Sequence, residues 1–328
     1  MTWTQNAPGG VYKDHDLSQK IRFNALQRTI WSRFVRPEAG FGRGMGQSLT
    51  ITRILQLPRA FRVNEIDDIP KLTPSISTIG VSVSEWAAKL ELTEFEENLT
   101  YYNLRNQYQQ LLRNNMMLTV DDMIQEAMVL TPVKAVTKTA GVLTITNDGT
   151  TSSATSNVTI GHLKLAKDYF VGTLKCPPFP NGRYVLVGLT DFVRGLKNDT
   201  LASTWLAFSS PNPLISGSVD LKETGISTGV TPPAEYVGTI ENVDIYEVNN
   251  TDVLKKGIGT SAVTAEALMF GDDSCVLAQT MAPELRAAEL PDSLGRNRLV
   301  GWVGQMEAKL IWPDNPGTNA RVMHFTSS

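Results

Sequence analysis

The sequence predicts an α+β protein with about two structural units. Its 328 residues are roughly twice the usual length of a single domain. Residues 94–117 have the apolar spacing of a long helix, whereas residues 48–59 and 75–92 alternate between apolar and polar side chains, as half-buried strands do. Helical and strand patterns occupy separate stretches here, and several further strand patterns follow in the second half. This arrangement is typical of an α+β fold.

The composition excludes several protein classes. Hydrophobic residues make up 41% of the chain and charged residues 19%, which is too apolar for a disordered protein. No apolar run is long enough for a membrane span, and the N-terminus lacks the apolar core of a secretory signal. Cys176 and Cys275 are far apart with no CxxC pattern, so neither a disulfide framework nor a zinc site is predicted. We therefore expect two small buried cysteines in a protein that folds in a cytosol.

Charge is unevenly distributed along the chain. Residues 1–64 carry ten Lys and Arg residues and three Asp and Glu residues, a net charge of +7, and the remainder carries −10. This split indicates self-association or a front segment that faces a polyanion. The alternative is a solvated basic helix face. The isoelectric point of about 5.7 argues against a sequence-reading DNA binder, which is usually strongly basic.

The N-terminal region predicts an arm, a helix and a hinge. Residues 1–15 have no periodicity and predict an extended arm, and residues 16–36 predict a helix that ends before Pro37. The sequence GFGRGMG at 40–46 follows this helix and precedes a strand, the reverse of the order in a dinucleotide site, and therefore predicts a flexible hinge. The apolar face of the predicted helix consists of Phe23, Leu26, Ile30 and Phe34.

The next region predicts an extended β-hairpin followed by two helices. The strands at 48–59 and 75–92 are joined by a broad polar tip. A hairpin of this length is marginally stable alone, so we expect it to lie against something, such as a neighbouring copy. After the helix at 94–117, Thr119–Asp122 resembles a capping box that would open a second helix running to about Leu130.

The second half predicts a mixture of strands and helices. Residues 131–159 are rich in Thr, Ser, Val and Gly and predict a small β insertion with its hairpin turn at Asp148-Gly149. Residues 299–325 predict a strand, a Pro/Gly turn and a return strand, with one face formed by Val300, Trp302, Met306, Ala308, Leu310 and Trp312. Between these regions we predict helices at 161–174 and 191–199 and strands at 182–190, 237–250 and 266–271.

No catalytic motif is present in the sequence. His15, His162 and His324 are far apart, and the HExxH, GxSxG and GxxxxGK[ST] patterns are absent. Adjacent carboxylates such as Asp121-Asp122 point apart on a helix or strand and so make poor acid/base pairs. The sequence therefore predicts no enzyme, no metal and no cofactor. Two alternatives stay open: an α/β enzyme that uses the end of the strand at 182–190, and a DNA-binding module that uses the basic helix.

The order of elements and four segments resemble a known family. The segments are GRGMGQSLTITR (42–53), RYVLVGLTDFVRGLKND (183–199), the strand Gly238–Val248 and the closing segment at 267–304. Over roughly residues 16–312 the chain resembles the major capsid protein of tailed phages, which has the Hong Kong 97 type fold. Asn242 departs from this pattern, because the family often has glycine there. The insertion at 131–159 has no counterpart in the family.

This resemblance implies a structural role and a division of the chain. It implies self-assembly as pentamers and hexamers into an icosahedral head that encloses double-stranded DNA, with scaffold, portal and cement proteins as further partners and no membrane. The protein would be a virion component assembled in the host bacterial cytoplasm. The implied parts are an N-terminal arm and helix (1–37), an extended loop (38–93), a peripheral domain with the spine helix (94–179), an axial domain (180–285) and a return to the peripheral domain (286–328).

Two groups of basic residues are the candidate site. We expect Lys20, Arg22, Arg28, Arg33 and Arg36 to face DNA or a neighbouring subunit. We expect Arg53, Arg59 and Arg62 on the hairpin to make inter-subunit contacts, with at least one of them paired to an acid of another subunit. The alternative for the hairpin arginines is that they are solvated edge-strand charges that prevent unwanted strand pairing.

Overall fold

The computed structural model describes residues 27–38, 46–63, 69, 71–93, 99, 104–199, 235–254, 265–289 and 297–328. These residues form two main β-sheets, a two-stranded hairpin and three α-helices. The helices are α1 (Leu104–Val129), α2 (Ile160–Gly172) and α3 (Thr190–Lys197). The first six strands are β1 (Pro37–Glu38), β2 (Ser48–Ile54), β3 (Ile76–Ser82), β4 (Ser84–Thr93), β5 (Lys134–Thr137) and β6 (Leu143–Thr146). The others are β7 (Tyr184–Leu189), β8 (Tyr236–Ile240), β9 (Val243–Val248), β10 (Ala265–Phe270), β11 (Cys275–Glu289), β12 (Asn297–Leu310) and β13 (Val322–Ser327).

A seven-stranded mixed sheet forms the centre of the molecule. Its order is β6-β5-β13-β10-β7-β9-β8, with parallel pairing between β7 and β9 and between β13 and β5. Every residue of β7, β10 and β13 is buried, because helices cover both faces of these strands. Helices α2 and α3 pack on one face through residues such as Phe170 and Phe192, and α1 packs on the other through Ile124 and Met128.

A four-stranded sheet lies on the far side of α1. Its order is β1-β11-β12-β4, and the long ladder between β11 and β12 continues from Cys275 to Glu289 with two register shifts. Trp302 of β12 is buried against α1, and its indole N–H donates to the side-chain oxygen of Asn115 at 3.0 Å. Helix α1 therefore packs against both sheets and joins them in a single core.

The predicted hairpin exists but is shorter than expected. Strands β2 and β3 pair from Ser48↔Ser82 to Ile54↔Ile76, which confirms the antiparallel pairing of the two alternating stretches. The second stretch divides at Val83, because β4 leaves the hairpin and pairs with β12 in the four-stranded sheet. The hairpin base packs on the outer face of that sheet, in a small cluster that includes Val81, Val276 and Ile311.

The predicted helix at 16–36 is wrong within the described residues. Gln27–Ile30 has no regular structure, and Trp31–Arg33 forms a single 3-10 turn. Ile30 and Trp31 are adjacent yet both fully buried, which an amphipathic helix with one apolar face does not provide. Residues 16–26 lie outside the described residues. We call residues 27–38 the strap, because they cross the body and end as β1 on the edge of the four-stranded sheet.

The two helices predicted between 94 and 130 are one continuous helix over Leu104–Val129. Thr119 does not cap a second helix, because its hydroxyl donates to the carbonyl of Asn115, one turn earlier in the same helix, at 2.9 Å. Asp121, the third residue of the supposed capping box, bonds to the strap instead.

The predicted β insertion at 131–159 belongs to the main sheet. Strands β5 and β6 form a hairpin at the edge of the seven-stranded sheet, and β5 pairs with β13. The turn of this hairpin lies at 138–142 rather than at Asp148-Gly149, which follows β6. Asp148-Gly149 does form a turn, because Gly149 adopts a positive φ of 80°. This turn follows β6, and the backbone N–H of Gly149 donates to the carbonyl of Pro132.

Other predictions are confirmed with small shifts. Helices α2 and α3 and strands β7 and β10 occupy the predicted segments. The segment 237–250 is a hairpin of β8 and β9, and Asn242 at its turn adopts a positive φ of 62°, a conformation that asparagine tolerates. Strand β13 returns from β12 as expected but joins the other sheet, and Trp312 packs beneath the hairpin instead of on the face of Trp302.

The sheets do not separate at the predicted domain boundaries. Strands β5 and β6, predicted as peripheral, share the seven-stranded sheet with β7 to β10, and so does β13 from the predicted return segment. Strand β11 runs without interruption through the predicted boundary at 285/286.

Candidate assembly surfaces

The outer part of the hairpin exposes an unusual amount of apolar surface. We call residues 54–63 the arm loop. The backbone N–H of Leu55 donates to the carbonyl of Ser75, and residues 56–63 make no backbone hydrogen bond to another described residue. Phe61 is 59% exposed, and Ile69 farther along the chain is 78% exposed. Several large apolar side chains exposed along one short stretch of chain make it a candidate interaction surface. The apolar side chains exposed in and next to the arm loop are Ile54, Leu57, Phe61, Val63, Ile69 and Ile76.

The three hairpin arginines have different environments. Arg59 and Arg62 lie in the arm loop, are exposed and form no ion pair with a described residue. Arg53 is buried and forms two bonds with the carboxylate of Asp314 in its own chain, at 2.6 and 3.2 Å. The predicted inter-subunit contact is therefore corrected for Arg53, because its acid partner is intramolecular. For Arg59 and Arg62 it stays a prediction.

Arg53 also contacts an aromatic ring. Its guanidinium carbon lies 5.2 Å from the centroid of Trp312, and the guanidinium carbon of Arg321 lies 5.0 Å from the same ring. Both distances are within the range of cation–π attraction. The three side chains connect the hairpin to the segment between β12 and β13.

The strap carries three of the five predicted front residues. The backbone N–H of Arg28 donates to the side chain of Asn249 at 2.7 Å, and Arg33 pairs with Glu235 at 3.6 Å. Arg36 is exposed and forms no ion pair within the described part of the chain. Lys20 and Arg22 lie outside the described residues. Arg36 is thus the clearest candidate on the strap for contact with a polyanion or a neighbouring subunit.

Aromatic packing and one buried carboxylate hold the strap in place. The Trp31 ring lies 5.9 Å from that of Phe270, and Phe34 makes an edge contact with Tyr246 at 5.2 Å. Beneath these rings, Oδ1 of Asp121 accepts the backbone N–H of Trp31 at 2.8 Å. Burial raises the pKa of Asp121 to about 7. Sequence reasoning missed this contact because its partners are ninety positions apart.

A cleft of about 850 Å³ opens where the strap meets both sheets. Its lining includes Phe34, Phe179 and Arg321, together with acidic groups of which Asp244 and Asp273 are paired with arginines. Asp273, for example, bonds to Arg321 at 2.8 Å. Within the described ranges, no three His, Cys, Asp or Glu side chains come together in a way that would hold a metal ion.

The strand end suggested for an enzyme site does not open into this cleft. Val185, near the start of β7, lines the cleft, whereas Leu189 at the end of β7 is buried and leads directly into α3. The alternative of an active site at the end of this strand is therefore not supported by the geometry.

A buried charged cluster crosses three strands of the seven-stranded sheet. Nε2 of His324 lies 3.3 Å from the carboxylate of Glu266, and Nδ1 lies 3.4 Å from Nζ of Lys134. The Lys134 ammonium donates to the carbonyl of Val129, the last residue of α1, at 2.7 Å. Burial lowers the pKa of Lys134 to about 8 and also lowers that of His324. The cluster ties β5, β10 and β13 to the end of α1, which indicates a structural role.

Among the helices that the structure describes, none has the length and apolar character that crossing a lipid bilayer would need.

Comparison with known proteins finds similarity in structure only. No protein-family model matches the chain, and no curated protein matches it. The solved capsid of cyanophage Pam1 superposes with a TM-score of 0.65 and 17% identity, covering 99% of both chains. The chain has a tailed-phage capsid fold. The head of Helicobacter pylori bacteriophage KHP40 gives a TM-score of 0.68 and 12% identity over 100% of this chain and 98% of that one. The capsid of Ralstonia phage GP4 gives 0.67 and 13% over 100% and 99%.

The match extends over whole chains, which confirms the predicted α+β fold of Hong Kong 97 type. Identities this low establish the capsid fold and leave the contacts between subunits to be argued from this chain's own residues.

Proposed function

We propose that this chain is the major capsid protein of a tailed phage. It assembles as pentamers and hexamers into an icosahedral head that encloses double-stranded DNA. The observation that carries the proposal is the full-length likeness to three solved phage capsid proteins, with 98% or more of each chain covered. The protein acts as a structural component of the virion and not as an enzyme, and it assembles in the host bacterial cytoplasm with scaffold, portal and cement proteins as partners.

The exposed arm loop supports assembly through contacts between copies. Apolar side chains in water gain free energy when another surface covers them, and the backbone N–H and C=O groups of the loop are available to bond to that surface so that they are not buried unpaired. Arg59 and Arg62 add positive charge to this loop, and the chain after residue 64 has a net charge of −10. A neighbouring copy therefore offers a complementary surface, and shell stability arises from many such modest interfaces.

The sheet topology suggests a revised division into domains. The four-stranded sheet with α1 forms the peripheral domain, and the seven-stranded sheet with α2 and α3 forms the axial domain around the local symmetry axes. Arg36 on the strap faces packaged DNA or a neighbouring subunit and makes contacts that do not depend on DNA sequence.

Electron microscopy of the expressed full chain after size-exclusion chromatography tests the proposal. Closed shells, or rings of five and six subunits, are the expected result. A 36 kDa monomer that stays monomeric at high concentration with a scaffold protein would overturn it. Monomers that bind duplex DNA with a steep dependence on salt would instead support the DNA-binding module.

A loop replacement then tests the role of the arm. Residues 56–74 are replaced by Asn-Gly, a two-residue turn that suits the hairpin closed by the Leu55–Ser75 bond. We expect a folded subunit that forms no shells. In parallel, the Arg59→Gln and Arg62→Gln double variant should assemble more weakly, and Arg286→Gln, which removes an exposed arginine paired with Glu284, serves as the matched control. Normal shells from the loop replacement would remove the arm from the mechanism of assembly.

A further inference from the structure

Three side chains meet where the hairpin joins the body. The guanidinium groups of Arg53 and Arg321 both lie over the ring of Trp312, at 5.2 and 5.0 Å from its centroid. We call these three residues the joint. Arg53 belongs to β2 of the hairpin, whereas Trp312 and Arg321 belong to the segment between β12 and β13.

Both guanidinium groups of the joint are fixed by further bonds. Arg53 donates to the carboxylate of Asp314 and, at 3.0 Å, to the carbonyl of Ile311. Arg321 donates to the carboxylate of Asp273 at 2.8 Å, in the turn between β10 and β11. The joint therefore connects the hairpin, the segment between β12 and β13, and the turn that links the two sheets.

The position of Arg53 is unexpected for a strand of this pattern. Leu49, Ile51 and Arg53 share the inward face of β2, so an apolar residue at position 53 would continue the pattern. Arg53 is only 7% exposed, and an arginine is seldom buried unless it is paired. Its partner Asp314 is 54% exposed, so the ion pair is only half-buried and adds modest net stability, but its bonds fix geometry because they are directional.

Small rotations at the joint become large displacements of the arm loop. Ten residues separate Arg53 from Val63, which corresponds to at most about 33 Å of extended chain. A rotation of about 10° at the joint would move the end of such a lever by about 6 Å. Side chains are in contact only when their atoms lie within about 4 Å of each other, so a displacement of this size would break the contacts of the arm loop with a neighbouring copy.

We propose that the joint sets the direction of the hairpin arm relative to the body. Its members are positioning residues: they hold the arm loop where a neighbouring copy can receive it. The consequence for assembly rests on the proposed function, whereas the fixed direction of the arm is a property of the single chain.

Distance measurements between two spin labels test the direction of the arm in the unassembled full chain. The labels are placed at Gln56→Cys in the arm loop and Asp168→Cys, an exposed position on α2. Cys176 and Cys275 are both buried, and burial raises the pKa of each thiol to about 12, so the native cysteines react slowly with the label. The parent chain should give one narrow distance distribution.

Substitutions in the joint should broaden this distribution; because Gln56 lies at most about 10 Å of extended chain from Arg53, a rotation of about 10° would shift the mean distance by only about 2 Å. Trp312→Leu removes the ring, and Arg53→Gln removes the guanidinium if the tryptophan variant fails to fold. Arg286→Gln changes the same residue type on β11 and should leave the distribution narrow. Circular dichroism identifies the variants that keep the native fold. Unchanged distributions in a folded joint variant would overturn the proposal.

Assembly of the same variants separates this inference from the proposed function. If the parent chain forms uniform shells, folded joint variants should form fewer closed shells with a wider range of diameters. Joint variants that form shells as uniform as the parent's would contradict a role in assembly. If the parent forms no shells even at high concentration with a scaffold protein, the proposed function fails, and the label distances alone decide whether the joint directs the arm.

Discussion

Replacing Asp121 by asparagine should remove a large part of the pH dependence of folding. The carboxylate lies on α1 beneath the strap, where Oδ1 accepts the N–H groups of Trp31 at 2.8 Å and Ser32 at 3.4 Å, and Oδ2 has no hydrogen-bond partner among the described residues. Burial raises the pKa to about 7 because the charged form loses its hydration. The N–H bonds from the strap oppose this shift only in part, and the nearby charge of Asp122 adds to it.

The sign of the effect follows from the two pKa values. The carboxyl group has a pKa of 3.8 in the unfolded chain and about 7 in the folded one, so the folded protein binds this proton more tightly. The stability that Asp121 contributes is therefore complete below pH 3.8 and is lost as the pH rises through 7. A shift of this size corresponds to about 4 kcal/mol in total, of which about 2.5 kcal/mol is lost between pH 5 and pH 8. A typical domain has only about 5–15 kcal/mol of stability, so the effect is measurable.

Urea denaturation of the unassembled chain at pH 5, 6, 7 and 8 provides the assay. Asparagine retains the acceptor for the strap N–H groups but places an amide nitrogen where Oδ2 has no partner, which costs about 1–3 kcal/mol at every pH. The stability of Asp121→Asn relative to the parent should therefore rise by about 2.5 kcal/mol from pH 5 to pH 8. Asp168→Asn, at an exposed position on α2, is the matched control and should keep the parent's pH dependence.

Parallel stability curves for the parent and Asp121→Asn would refute this reasoning. They would mean that the carboxyl group titrates alike in the folded and unfolded chains, and hence that the strap does not seal it from water. Equal urea dependence of the two proteins is the check that both unfold to the same extent.

Two other substitutions test the core. Gly271→Ala would place a methyl group 2.4 Å from the carbonyl oxygen of Pro177, so we expect the free energy of unfolding to fall by about 1–3 kcal/mol, measured by urea denaturation. Gly172→Ala is the control and should be neutral, because its new methyl group meets open space. Burial lowers the pKa of His324, so below pH 6.5 the unfolded chain takes up a proton that the folded chain resists. This uptake should cost the parent up to about 1.4 kcal/mol for each unit that the pH falls below 6.5, opposite in sign to the contribution of Asp121, so the stability of His324→Gln relative to the parent should rise as the pH falls; a constant difference between the two proteins would contradict this.

The elements that sequence reasoning placed correctly are those with local signals. Strand β7 is a continuous apolar run that must be buried on both faces, and α3 follows it with buried residues at 192, 193 and 196. The alternation in β2 and β3 defined the hairpin because one face of each strand packs on the body. In these elements the side-chain period and the burial agree.

The errors occurred where a residue's partner is distant in the sequence. Thr119 and Asp121 form a capping pattern, but nothing local indicates that the carboxylate serves a strap ninety residues away. Strand β11 was not predicted, because it contains Pro283 and two register shifts and its outer part is exposed. Its pairing with β1 ends at Ala278, so among the described strands the rest of β11 is an edge, which tolerates such features, and these features weaken the strand signal.

One signal in the sequence did point to the joint. Position 53 continues the inward phase of an alternating strand, and a charged residue in that phase requires a buried partner. The partner itself, Asp314, could not be identified, because it lies beyond β12 and on no periodic element. A charged residue in the inward-facing series of a strand thus predicts that a buried polar contact exists at that position, but it does not identify the partner residue.

The structure also changes the meaning of the basic front. The count of +7 over residues 1–64 treats every arginine as available to a partner. Arg33 and Arg53 are neutralised by Glu235 and Asp314 of the same chain, so they help to hold the strap and the hairpin on the body. The described arginines of this region that form no ion pair with a described residue include Arg36, at the exposed end of the strap, and those of the arm loop. Among the described residues, the exposed arginines of this region without an ion pair thus lie at the end of the strap and in the arm loop, where the proposed neighbouring copy or packaged DNA would meet them.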